Sequence, residues 1–127
     1  MDNKSNYKLS VVAPIFPVCD IDISKKYYLD KLKFSIGFEW SDEGNSEVNY
    51  LILHNGDTEL HLSKSKEARK TAAYFFVDNI QGYYYEIKES GANIINDIAD
   101  QEWDMREIEV HDPDGNVIIF GEHKSRI

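Results

Sequence analysis

A chain of 127 residues, 42% of them hydrophobic, carries enough apolar material for one core and too little for two independent ones. Its 23 acidic residues against 14 basic ones give a formal net charge of -9, which argues against nucleic acid or an anionic membrane surface as partner and favours a cationic ligand, although excess acid also serves solubility alone. No apolar run approaches a membrane span, residues 1–8 hold no hydrophobic leader core, and the single cysteine, Cys19, cannot close an internal disulfide, so a cytoplasmic protein is expected.

In chain order, Leu9 to Val18 reads as a strand whose Pro14 and Pro17 place it at an edge or bulge. Cys19, next to Val18, reads as a small residue at the edge of the core. A helix follows, with Ser24 as its N-cap and Tyr28, Leu29 and Leu32 as its apolar stripe. Phe34–Trp40, Glu47–His54 and Thr58–Ser63 are then three strands, joined by turns at Gly44 and Asn55-Gly56. Lys64–Lys70 is a charged connection. Ala72–Val77 is the next strand, and Ile80–Ser90 a helix closed by Gly91. Its Tyr84 and Tyr85 divide between core and surface. Ile94–Ile98, Arg106–His111 and Asn116–Gly121 complete the set. In the turn from Asp112 to Asn116, Pro113 presets one dihedral and Gly115 can take a positive one, as a hairpin requires.

The two halves repeat. Val18, Cys19, Asp20 and Tyr27, Tyr28, Leu29 lie over Val77, Asp78 and Tyr84, Tyr85, Ile87, with Asp20 and Asp78 separated by 58 residues. Gly56 and Gly115 stand 59 apart in matching turns. Each half reads as strand, helix and three strands. The expected fold is α+β, one domain over residues 1–127: module one at about 8–63, a linker at about 64–70 and module two at about 71–122.

The run Trp103, Asp104, Met105, Arg106, Glu107, followed by Asp112, Pro113, Asp114, Gly115, Asn116, resembles the last hairpin of the bleomycin resistance proteins, within the glyoxalase and vicinal oxygen chelate superfamily. The resemblance extends from Pro14 to about Glu122. After the first helix the family runs Leu-Gly-Phe and then a second aromatic followed by acids, and here Leu32, Lys33, Phe34 is followed by Phe38, Glu39, Trp40, Asp42 and Glu43. Lys33 departs from the family's glycine, so the connection there is open to change. The fold implied is two tandem βαβββ modules whose curved sheets enclose a cleft. A homodimer is implied too, with Pro14 helping the N-terminal strand to cross to the partner. Phe38 and Trp103 fall on ligand-stacking positions, supplied by different chains to grip a flat heteroaromatic group. Trp40, Asp42, His61 and Arg106 join them as candidate ligand-binding residues. Simpler roles stand beside these: Phe38 and Trp40 as packing, and Arg106 and Glu107 as partners of each other or of the turn.

Metal-dependent relatives place a His, Gln or Glu in the first strand of each module and a carboxylate in the last. Carried onto this chain, those places fall at Ala13, Ala73 and near Ile119, none of which can ligate, leaving Glu59 and His61 alone. The sequence has no glycine-rich phosphate loop, no Gly-x-Ser-x-Gly elbow and no Cys–His pair at a convincing site. No metal and no cofactor is therefore expected. The resemblance implies a metal-free dimer that sequesters a cationic aromatic antibiotic of the bleomycin type. The alternatives are a metal-dependent lyase, isomerase or thiol transferase of the glyoxalase or fosfomycin-resistance type, a metal-free enzyme with Glu59 or Glu107 as base, and a dimeric module without a small ligand, in which Trp103 would be buried.

Overall fold

The structure, a computed structural model, describes residues 6–42, 44, 47–67 and 69–127. Module one comprises β1 (Ile15–Val18), α1 (Ile21–Asp30), β2 (Ser35–Trp40), β3 (Tyr50–Asn55) and β4 (Thr58–Lys64). Module two comprises β5 (Ala72–Phe76), α2 (Ile80–Ser90), β6 (Ile94–Asp100), β7 (Met105–His111) and β8 (Val117–His123). The sheet orders are β1-β4-β3-β2 and β5-β8-β7-β6, so the duplication seen in the sequence is one of topology. In each sheet the first strand runs parallel to the last, and the remaining pairs are antiparallel. This is the expected α+β arrangement of two tandem βαβββ modules with open, curved sheets.

Period-two alternation separates a core face from an open face in each sheet. Leu51 and Leu53, Leu60 and Leu62, and Phe16 and Val18 are buried on module one's inner face, against Ile21 and Tyr28 of α1. Ile108 and Val110, Ile118 and Phe120, and Phe75 do the same in module two, against Ile80, Tyr84 and Ile87 of α2. Each fully buried aliphatic side chain contributes about 1.5–3 kcal/mol, so these two stripes hold the helices to the sheets. Tyr85, the neighbour of buried Tyr84, is exposed, as the helical period requires.

Several local expectations are corrected. The first strand begins at Ile15 rather than Leu9, because among the described residues no strand pairs with residues 9–13; the ladder starts where the His61 amide donates to the Pro14 carbonyl at 2.9 Å. The N-cap of α1 is Asp20, whose carboxylate accepts from the Ile23 amide, and Ser24 is buried within the first turn. Cys19 is exposed rather than at the core edge, since the chain leaves the sheet after Val18 to enter this cap. A hydrogen bond that the Cys19 thiol donates to the Asp114 carboxylate, and then that carboxylate's charge, push the thiol pKa up. Strand β3 starts at Tyr50 rather than Glu47. Lys33 takes φ 65°, the left-handed conformation that glycine adopts without strain.

Polar groups also link module one to module two, Tyr27 and Tyr28 of α1 among them. Tyr28 Oη donates to Asp112 Oδ2 at 2.8 Å, and Tyr27 Oη donates to the His111 carbonyl at 2.8 Å while accepting from the Asn93 amide at 2.9 Å. Asn116 Nδ2 donates to the Pro17 carbonyl at 3.0 Å, and the Cys19 amide to Asp114 Oδ1 at 3.0 Å. In the opposite direction Tyr83 Oη of α2 donates to the Leu32 carbonyl at 2.8 Å. The Asp112–Asn116 turn therefore acts as a connector between modules.

Candidate functional site

The open face of the first sheet gathers three of the predicted residues. Ile15, His61, Ile52 and Phe38 face one another in register across β1, β4, β3 and β2, and Trp40 lies opposite Tyr50 in the next row. Phe38 is 51% and Trp40 47% exposed, so neither is core packing within this chain. The ladder shifts register between Ile36 and Phe38, and a Cβ on Gly37 would fall 2.3 Å from His54 Nε2. Glycine at that shift leaves the space His54 occupies. Asp42 stands beyond the end of β2, where its Oδ2 accepts from Asn49 Nδ2 at 2.6 Å. Glu43 lies outside the described residues.

His61 is the centre of a hydrogen-bonded chain on this face. Its Nε2 lies 2.8 Å from Glu59 Oε2, and its Nδ1 lies 2.6 Å from Tyr50 Oη. In the tautomer whose Nε2 donates to Glu59, Nδ1 accepts from the tyrosine hydroxyl. Desolvation, assisted by the Glu59 charge, holds the Tyr50 pKa above its ordinary value. His54 lies 3.9 Å from the other Glu59 oxygen.

The second sheet presents a concavity of about 540 Å³ beside Trp103, lined also by Asn96, Asp97, Glu107, Glu109 and Ile119. Trp103 is 58% exposed in the single chain. Glu107 joins two elements here: its Oε2 accepts from Trp103 Nε1 at 2.9 Å and from Tyr74 Oη at 2.7 Å. Desolvation first, and then the bond to Glu107, push the Tyr74 pKa well up. Gly121 makes room for this contact, since a Cβ there would lie 1.9 Å from Tyr74 Oη. Glu109 pairs with His111 Nε2 at 2.8 Å. Among the described residues the lining thus carries three carboxylates, Asp97, Glu107 and Glu109, and no Lys or Arg.

Arg106 is placed elsewhere. It has the opposite strand parity to Glu107, and it binds both Asp100 oxygens, at 2.6 and 3.3 Å, rather than pairing with Glu107. That guanidinium holds the Asp100 carboxyl below its ordinary pKa. Within one chain, then, Phe38, Trp40 and His61 share one sheet face, Trp103 lies in the β6–β7 turn of the other module, Asp42 follows the end of β2, and Arg106 is engaged by Asp100. Sequence reasoning missed Tyr74, Glu109 and the clamp on Glu107. The signal for the two acids was present: once Ile108 and Val110 are assigned inward, residues 107 and 109 must face out.

The metal that enzymatic relatives hold does not fit these residues. Register also corrects the carried-over position on β5: Ala73 lies opposite buried Ile118, on the core side, and Tyr74, opposite Ile119, is the residue on the open face. Its hydroxyl is engaged by Glu107, and Ile119 offers no donor. Among the described residues no group of three or more His, Cys, Asp or Glu is arranged to hold an ion.

Solved structures share this fold. A glyoxalase-related enzyme from Clostridium phytofermentans aligns with TM-score 0.78 at 23% identity, over 94% of this chain and 99% of its own. A bleomycin-binding protein complexed with bleomycin aligns with TM-score 0.74 at 20% identity, over 91% and 99%. A bleomycin-binding protein from the bleomycin producer Streptomyces verticillus, complexed with copper(II)-bleomycin, aligns with TM-score 0.73 at 20% identity, over 90% and 96%. No curated protein matches the chain. Identities this low establish shared architecture and leave the ligand open. The sequence itself matches a family over residues 9–120, nearly its whole length, and by that match the chain belongs to the Glyoxalase/Bleomycin resistance protein/Dioxygenase superfamily.

Proposed function

We propose that the protein is a metal-free, homodimeric binding protein of the bleomycin resistance type, which captures a cationic aromatic antibiotic in the cytoplasm by stoichiometric sequestration. The observation that carries this reading is the acid-lined concavity beside Trp103, with Glu107 held by the indole and by Tyr74. An exposed indole offers a stacking face, and fixed carboxylates beside it favour a cation. A partner subunit would bring the Phe38 and Trp40 face of its first sheet against Trp103, closing a groove that one chain leaves open. Pro14 and the residues before it would cross to that partner. The two bleomycin-binding proteins of similar fold support the ligand class.

A second reading rests on the Tyr50–His61–Glu59 chain, an arrangement that can hold and move a proton without a metal. The discriminating experiment is a titration of the protein with metal-free bleomycin, followed by tryptophan fluorescence and calorimetry, with the metal content of the stock measured alongside. Saturable quenching at one ligand per subunit in metal-free protein supports sequestration. No binding, together with a stoichiometric bound metal, overturns it in favour of a metal-dependent enzyme, while no binding and no metal leaves the acid–base reading to be pursued.

A further inference from the structure

A second cavity, of about 420 Å³, lies at the junction of the two modules, away from the Trp103 concavity and sharing no residue with it. Its walls are aromatic. Phe34 closes it from module one, and Phe75 and Tyr83 from module two. The Tyr83 hydroxyl is spent on the Leu32 carbonyl at 2.8 Å, so the ring rather than the hydroxyl is the feature available to an occupant. The ring is itself held edge-on to Phe120, with centroids 4.9 Å apart, and Phe120 lies 5.7 Å from Phe75, so these rings pack on one another.

Two carboxylates stand on the lining, one from each module: Asp57 in the β3–β4 turn and Asp78 in the β5–α2 connection. Among the described residues neither carboxylate has a hydrogen-bonding or ion-pair partner, and no Lys, Arg or His lines the cavity. Aromatic faces present negative potential to a cation, and nearby carboxylates add to it. An anionic ligand meets repulsion from both acids, while a neutral apolar ligand gains nothing from them. The turn is fixed as well: Gly56 takes φ 58°, and Asn55 Nδ2 anchors to the Lys33 carbonyl at 3.2 Å, which keeps Asp57 beside the aromatic walls.

From this we infer that the inter-module cavity is a binding site for a small organic cation, an alkylammonium group on a compact apolar body, seated on Phe34, Phe75 and Tyr83 and balanced by Asp57 and Asp78. The site is independent of the antibiotic-binding reading and stands or falls without it.

The test is an amide NMR titration of the full chain with choline and, in parallel, with its neutral carbon isostere 3,3-dimethyl-1-butanol. Saturable choline shifts centred on Gly56, Asp57, Asp78 and Tyr83 are expected, with the isostere at least tenfold weaker. Asp57→Asn and Asp78→Asn change exposed residues, and the double variant is expected to keep the wild-type spectrum elsewhere and to bind choline at least tenfold more weakly. Equal binding of the isostere, undiminished choline binding by the double variant, shifts confined to Trp103 and its neighbours, or no saturable choline shift at all would each overturn the inference.

Discussion

The Tyr28 hydroxyl donates to Oδ2 of Asp112 at 2.8 Å across 84 residues of chain, with both residues buried. Asp112 also accepts from the Asn116 amide at 2.9 Å, Asn116 Nδ2 at 2.8 Å and the Asp114 amide at 2.9 Å, so its buried carboxylate is fully engaged. Tyr28→Phe removes one of these donors and is expected to cost about 1.5–3 kcal/mol, the range for a hydrogen bond to a charged acceptor. Asp112→Ala strands the buried hydroxyl and amide groups together and is expected to cost at least about 3 kcal/mol. Urea unfolding measures both. An Asp112→Ala variant within about 1 kcal/mol of wild type would show that the turn does not clasp the modules.

The same pair makes stability fall at alkaline pH. Burial, and then the Asp112 charge, raise the Tyr28 pKa well above its ordinary value of 10.0. A pKa that is higher in the folded state means that the fold favours the protonated hydroxyl. Its contribution is complete below the unfolded value and is lost as pH climbs from there through the folded one. Unfolding free energy should therefore decline above about pH 10, and more shallowly in Tyr28→Phe. Tyr27 and Tyr83, also raised by burial, keep the slope from vanishing in that variant. Equal slopes from urea midpoints between about pH 8 and 11 would remove Tyr28 from the account.

Topology was legible in the sequence because alternating Leu and Ile positions and the Gly56 and Gly115 turns are local signals that recur in the same order in both halves, and the Gly91 cap closes the second helix. The start of β1 was not. Leu9, Val11 and Val12 satisfy strand propensity, yet a strand also needs a neighbour, and that is a tertiary fact. The N-cap was misplaced for a related reason: Asp20 and Ser24 are both capping types, and Ser24 lost because the first turn buries it against Asp114. At the candidate site, Phe38, Trp40 and Trp103 are residues that the resemblance nominated, whereas the Glu107 clamp needs the register that puts Tyr74 beside it. Arg106 was drawn into the site by its place between Trp103 and Glu107 in the chain, although strand parity sends it to Asp100.

The N-terminal segment tests the proposed dimer. Tyr7, Leu9, Val11 and Val12 are 78%, 88%, 61% and 88% exposed, an apolar series that a single chain leaves uncovered. If it lies on a partner subunit, deleting residues 1–13 should weaken dimerisation at least about tenfold while β1 remains in place, since the Pro14 carbonyl that receives the His61 amide is retained. Sedimentation equilibrium gives the dimer constant and circular dichroism the fold. A truncated chain that dimerises as tightly as the parent rules out exchange of this segment.

Trp103, Glu107 and Gly121 can be varied to separate stacking from charge in the proposed ligand site. Trp103→Ala removes both the indole face and a donor to Glu107, and should weaken metal-free bleomycin by at least about 1.4 kcal/mol, roughly tenfold. Glu107→Gln keeps an oxygen able to accept from Trp103 and Tyr74 but loses the charge, so it should weaken binding mainly at low ionic strength, where screening is least. Gly121→Ala acts at a distance from the ligand: the added methyl cannot coexist with the Tyr74 hydroxyl, so the ring must swing away and leave Glu107 with the indole alone. Calorimetry should then place Gly121→Ala between wild type and Trp103→Ala. If Gly121→Ala binds as wild type does while Glu107→Gln fails, the charge matters and its clamp does not; if all three bind equally, the concavity beside Trp103 is not where the ligand sits.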